Sequence, residues 1–234
     1  MAETGTKAPR ERYRAQVRAE IKERAWEQIA TAGASALSLN AIARSMGMSG
    51  PALYRYFAGR DELITELIRD AYRSLADAFH AAATGSDPAG PDPLGPDAPG
   101  PDVARPDVDA LARALRRWAL DDPHRYFLIY GTPVPGYHAP DDITAIASEI
   151  MATLLDACAA SPSDRPATPF DAHLDEHRQW AGGHPAPPAA LRRAMAFWTR
   201  LHGVLSLELA GHFTGMGFDP ALLFEAELDD LRVT

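Results

Sequence analysis

Between Ser38 and Phe57 the chain carries two apolar stripes, each long enough for only a turn or two of helix, with Gly47 between them. Ser38 precedes LNAIARSM, in which Leu39, Ile42, Ala43 and Met46 fall on one face at helical spacing. A serine there is a good N-cap, because its hydroxyl can accept from a free N–H of the first turn. Gly47 ends that helix. Ser49 is the next N-cap candidate, and Pro51 opens a brief helix running to about Phe57, where its missing N–H costs nothing. Two helices this short must fold on each other as a hairpin, on a longer neighbour. Ala43 is small where they would cross, and Met48 and Leu53 point into the hairpin core.

The neighbours are readable. Residues 11–32 form a helix with Val17, Ile21, Ala25 and Ile29 on one face and Gly33 just past its end. A helix over 60–83 carries Leu63, Ile64, Leu67, Ile68, Ala71, Leu75 and Phe79 inward. Further helices are expected at 108–121, about 124–130, 141–160, 188–214 and 219–232, the last through the Asp219-Pro220 step. The stretch 169–188 is ambiguous. No segment sustains period-two alternation, so the chain is read as all-α. Residues 85–107 hold seven Pro, four Gly and five Asp, a composition that cannot offset its ordering entropy and is expected to be a disordered loop. Another Pro-rich stretch covers 161–169, and a Pro/Gly turn covers 131–140. The expected division is an N-terminal domain over 1–75 and a larger helical domain over 76–234.

The net charge of −9 is unevenly placed. Residues 1–75 carry 12 basic against 9 acidic side chains, a net of +3, and the remainder 11 against 23, a net of −12. A basic end on an acidic body suits a chain whose one end meets a polyanion. Cys158 is the single cysteine, which excludes an internal disulfide and cysteine-rich zinc sites. No apolar run approaches the roughly 20 residues that span a bilayer, and the N-terminus lacks the apolar stretch of a signal peptide. The expectation is a cytoplasmic protein with no membrane contact.

The run Ser38-Leu39-Asn40-Ala41-Ile42-Ala43, then Gly47-Met48-Ser49-Gly50-Pro51-Ala52-Leu53-Tyr54-Arg55-Tyr56-Phe57 and Arg60-Asp61-Glu62-Leu63, closely resembles the tetracycline-repressor (TetR) family of bacterial regulators. The likeness covers about residues 12–70. A looser one, in YGTPVPGYHAP and in Trp198, His202, Gly203 and Glu208, resembles the C-terminal domain of an actinobacterial subgroup. The resemblance implies a three-helix helix-turn-helix DNA-binding domain joined to a C-terminal domain that binds an effector and dimerises. It implies a homodimer in which each N-terminal domain reads half of a palindromic operator on double-stranded DNA. It also implies that helices 188–214 and 219–232 make the dimer interface, which suits their excess apolar surface.

The candidate DNA contacts follow from chemistry on that alignment. The Tyr54 phenol and Arg60, at the start of its helix, suit phosphates. Ser38 and Asn40 can reach the backbone, and Asn40 a base. Arg55 is the long donor of the second hairpin helix and can bind guanine through two hydrogen bonds. Pro51 and Ala52 can touch a thymine methyl, and Ser49 and Gly50 permit close approach. Arg12, with Arg10 and Arg14, forms a basic arm over 1–14, or a tail without specific contacts. Tyr56 is kept among the DNA-facing candidates although it and Phe57 have the spacing of core residues. For a small, apolar or aromatic effector the candidates are Trp118, Tyr126, Phe127, Tyr130, Met151, Trp198 and His202, with Tyr137 beside them. The same residues would also make ordinary core. The expected product is a ligand-responsive repressor that needs no cofactor and is not an enzyme.

Two other readings stand beside this one. His173, Glu176 and His177 match the H-x-x-E-H pattern of zinc peptidases, without a third ligand at a defined spacing. The hairpin could also serve protein contacts alone, against which the basic N-terminal third and Arg60 weigh.

Overall fold

The structure, a computed structural model, describes residues 7–86, 107–131, 139–160 and 165–232. The first six residues of the arm, nearly all of the proline-rich 85–107 stretch, Tyr137 with most of its turn, and residues 161–164 lie outside the described residues. Ten α-helices and no strand occur among the described residues. They are α1 (Lys7–Ala32), α2 (Leu39–Ser45), α3 (Gly50–Leu53), α4 (Arg60–Ala83), α5 (Val108–Asp121), α6 (Pro123–Tyr130), α7 (Asp141–Ala160), α8 (Pro169–Glu176), α9 (Pro188–Leu209) and α10 (Pro220–Arg232). The all-α reading holds.

The chain divides into two compact units. The first comprises residues up to Ala71 together with His124–Pro140, and the second comprises Tyr72–Pro123 and Asp141–Thr234. The boundary expected after residue 75 thus falls within α4, a few residues late, and the 124–140 segment groups with the N-terminal unit.

In the first unit the stripe of α1 is buried as its spacing demands: Val17, Ile21, Ala25 and Ile29 all lie in the core. Buried in the same unit are Leu37, Leu39, Ile42, Ala43, Leu53 and Phe57 from the hairpin region and Leu63, Ile64 and Leu67 from α4. Each large apolar side chain in this core contributes about 1.5–3 kcal/mol. Met48, expected in the hairpin core, is only half-buried. Gly33 and Gly47 adopt φ of 79° and 64°, the left-handed region that other residues enter at a cost. Past Gly47 the Met48 N–H reaches back to Ala43 O at 2.8 Å, closing the end of α2.

In the second unit α9 is the central element and packs against α5, α7, α8 and α10. Its buried face is Leu191, Ala194, Phe197, Leu201, Val204 and Leu205. α7, with 20 residues, is long and apolar enough by composition to cross a membrane. The expectation that no segment reaches that length therefore needs amending. Ile143, Ile146, Ile150, Leu154 and Leu155 of α7 are buried within the unit. α9 stops five residues short of the expected 214. Gly211 at φ 77° and the His212 N–H on Leu207 O at 2.9 Å terminate it. The ambiguous 169–188 stretch resolves into α8, capped by Thr168 and Asp171, and a 3-10 turn at Arg178–Ala181.

Candidate nucleic-acid interface and effector region

α2 and α3 form the expected hairpin. The Ser38 hydroxyl accepts from Ala41 N at 3.4 Å, and its own N–H donates to Gln28 Oε1 of α1 at 3.0 Å. Ser38 thus serves as the N-cap of α2. Ser49 holds the N-cap position of α3 without a side-chain capping bond, so its hydroxyl is not committed there. α3 is shorter than expected. Helix covers only Gly50–Leu53, and Tyr54–Tyr56 continue as a turn.

The carbonyls of α3 accept from backbone N–H groups of the turn that follows, Tyr56 N on Leu53 O at 2.8 Å among them. Two arginines of α1 hold the carbonyls of that turn. Arg14 Nη2 donates to Arg55 O at 3.1 Å, and Arg18 Nη1 donates to Tyr56 O. Arg18 also lies 4.1 Å over the Phe57 ring and pairs with Glu62 at 3.6 Å and Glu66 at 3.5 Å. The Glu62 carboxylate reaches back to accept from Ala58 N at 2.5 Å, fixing the turn between α3 and α4. Lys22 pairs with Asp70 at 2.5 Å.

With the backbone so held, the hairpin turns a polar set outward. Asn40, Ser49, Pro51, Tyr54 and Arg55 are exposed, Tyr54 by 49%. Ser38, Gly50, Ala52 and Tyr56 are half-buried. A Cβ on Gly50 would meet Asn40 Oδ1 at 3.5 Å, so these two residues are neighbours across the hairpin. Phe57 is wholly buried, as its spacing predicts. Arg12 is exposed on α1. Arg60 has a task the sequence did not reveal. Its Nη2 donates to Ala34 O at 2.9 Å and Ser35 O at 3.3 Å, closing the 3-10 turn Ala34–Ala36.

Comparison with known proteins agrees with this arrangement. Residues 21–67 match the tetR family of bacterial regulatory proteins, and residues 108–231 match a tetracyclin repressor-like C-terminal domain. The HTH-type transcriptional regulator Rv1816 of Mycobacterium tuberculosis is 37% identical over 237 aligned positions, covering 97% of this chain and 95% of that protein. The chain belongs to the TetR family of transcriptional regulators. The regulator Mb1846 of Mycobacterium bovis is similar to the same degree. A crystal structure described as that of a regulatory protein, SCO4313, is 69% identical, with a TM-score of 0.80, covering 94% of this chain and 97% of that one. A Rhodococcus protein of 21% identity and TM-score 0.62 shares the fold. The family is one of DNA-binding regulators, not enzymes.

The expected effector residues of this TetR-family chain fall in both units. In the first, Tyr126 is wholly buried, with its ring 5.5 Å from Phe127 and 5.4 Å from Tyr130. In the second, Trp118 is buried and donates from Nε1 to Ser74 Oγ at 2.7 Å. Trp198 and His202, one helical turn apart on α9, have ring centroids 4.4 Å apart. Burial lowers the His202 pKa to about 4, so its imidazole is neutral near pH 7. Met151 is half-buried on α7. An open cleft of about 390 Å³ on the second unit is lined instead by Arg73, Asp77, His80, Glu149 and Thr153. Arg73 and Glu149 join across it at 2.7 Å.

Sequence reasoning missed the Arg18 clamp and one ion pair of the second unit. Arg116 of α5 binds Glu208 of α9 through two hydrogen bonds of 2.5 and 2.8 Å while lying 5.1 Å from the Phe224 ring of α10. Glu62 was legible, because a carboxylate in a helix's first turn commonly reaches back to the preceding backbone. As for the H-x-x-E-H segment, His173 lies in α8 and His177 just past its end, both exposed. No group of three or more His, Cys, Asp or Glu side chains converges on a metal position among the described residues.

Proposed function

We propose that this protein is a ligand-responsive repressor that binds a palindromic operator as a homodimer, in the cytoplasm. The observation that carries the reading is the outward set Asn40, Ser49, Pro51, Tyr54 and Arg55 on a hairpin whose backbone is fixed by Arg14 and Arg18. Arg55 reads a guanine, and Tyr54 and Ser38 hold phosphates. Pro51 and Ala52 touch a thymine methyl, while Ser49 and Gly50 let the backbone approach. Arg12 adds phosphate contacts from α1. Arg60 acts mainly through the turn it closes, with phosphate contact secondary.

Dimerisation through α9 and α10 is supported by the apolar side chains they and their connection leave in solvent. Leu207 is 44% exposed, Met216 63%, Phe218 41% and Leu222 71%. A second copy covering these residues would set two recognition hairpins about one helical turn of DNA apart. The effector is held by Trp118, Met151, Trp198 and His202 of the second unit, whose aromatic rings and neutral imidazole suit an uncharged, aromatic or apolar ligand. An effector preferring the DNA-free conformation lowers operator affinity by its differential binding, typically about 1–3 kcal/mol.

Selection of genomic fragments by the purified protein tests this reading. The expected product is one enriched palindrome that binds two chains per site. Recovery of no common sequence would contradict it.

A further inference from the structure

Arg44 is a basic residue of the hairpin that the operator contacts above leave unused. It lies in the last turn of α2, and its side chain is exposed. Its Nε donates to the Asn40 carbonyl, one turn back, at 3.3 Å. A helical side chain leans towards the N-terminus of its helix, so this bond lays the guanidinium over the Asn40 turn. Asn40 in turn borders the start of α3, where a Cβ on Gly50 would meet Asn40 Oδ1 at 3.5 Å. Arg44 is thus tied to the residue that joins the outward faces of the two hairpin helices.

We infer that Arg44 is a further DNA-binding residue and that its ligand is a phosphodiester group of the operator backbone. This rests on the reading of the hairpin as a DNA contact. The neighbouring guanidiniums are committed within the protein: Arg14 to Arg55 O, Arg18 to Tyr56 O and two glutamates, and Arg60 to Ala34 O and Ser35 O. Arg44 makes no ion pair among the described residues. With Nε held, its two Nη groups remain for an outside acceptor, and their N–H bonds match two oxygens of a phosphate. A side chain held in place beforehand loses less entropy on binding. In a helix-turn-helix the first hairpin helix crosses the DNA backbone while the second enters the major groove, so α2 is the element that meets phosphates. Arg44 therefore supplies affinity, whereas Arg55 supplies discrimination between sequences.

Anisotropy titrations of the full-length protein on the selected palindrome and on a scrambled duplex, each over a salt series, test this. Arg44→Gln should weaken binding to both duplexes by the same factor, about threefold to tenfold at moderate salt. Its log–log salt slope should be shallower than that of the wild type by about 0.9 per half-site. Arg44→Lys should keep the wild-type slope, because the charge remains, and lose some affinity, because an ammonium lacks the two-pronged fork. Circular dichroism melts confirm that each variant is folded. A wild-type slope for Arg44→Gln, beside a wild type that does prefer the palindrome, would overturn this assignment alone. A wild type without that preference would overturn the DNA reading and this assignment with it.

Discussion

The guanidinium of Arg18 sits 4.1 Å over the ring of Phe57 and donates to the carbonyl of Tyr56 in the same turn. Arg18 side-chain exposure is 25%, so these interactions are partly sheltered from solvent. One side chain of α1 thereby fixes where the recognition turn ends and where α4 begins. Arg18→Ala should lower the stability of the protein by about 1–3 kcal/mol, summing a cation–π contact and a charge-assisted hydrogen bond. Arg18→Lys should recover little of it, because an ammonium cannot lie flat on a ring while reaching the carbonyl. Denaturant melts of the two variants check this, and a wild-type midpoint for Arg18→Ala would refute it.

The exposed residues of the hairpin should separate into two classes. Arg55→Ala should cost about 1–3 kcal/mol on the operator and relax discrimination at one base pair. Tyr54→Phe should weaken binding to operator and to unrelated DNA by similar factors, because it removes a phosphate donor. Binding isotherms on single-base variants of the operator distinguish the two.

Much of this arrangement was written in local signals. Ser38, Gly47 and Pro51 act on neighbours within a few residues, so α2 and the turn after it follow from spacing alone. The buried faces of α1, α4 and α7 follow from their periodicity. What could not be read was chosen by tertiary packing. Arg18 meets its carbonyl 38 positions along the chain, and Arg60 turns back 26 positions to close a turn. A basic residue facing a phosphate and one capping a carbonyl look identical in sequence. α3 gives way to a turn whose carbonyls, at Arg55 and Tyr56, are held by guanidiniums 41 and 38 positions earlier in the chain, which no local signal foretells. The end of α9 does carry a local signal, Gly211, whose left-handed φ closes the helix just past Leu209, the last residue of its apolar stripe.

Leu222 is 71% exposed at the start of α10. If a second copy covers it, Leu222→Asp should bury a charge in the interface and shift a micromolar solution from dimer towards monomer. Light scattering coupled to size exclusion gives the answer. A wild-type mass for the variant would place the interface elsewhere.

His202 should make stability depend on pH in acid. Its folded pKa is about 4 against 6.5 when unperturbed, so above pH 6.5 both states hold it neutral and it contributes no slope. Between about 6.5 and 4 the unfolded chain takes up a proton that the folded chain refuses, and stability falls as pH falls. The loss approaches about 3 kcal/mol at the low end. His202→Gln should flatten that part of the profile, as read from urea midpoints at pH 7, 5.5 and 4.5. Parallel profiles for the two proteins would show that the ring is solvated.

Fluorescence anisotropy on the selected palindrome and on a scrambled duplex, each over a salt series, tests the central claim most directly. The account predicts an operator preference of at least about a thousandfold, with log affinity falling by about 0.9 per phosphate contacted for each tenfold rise in salt. Equal and weak binding to both duplexes would contradict it.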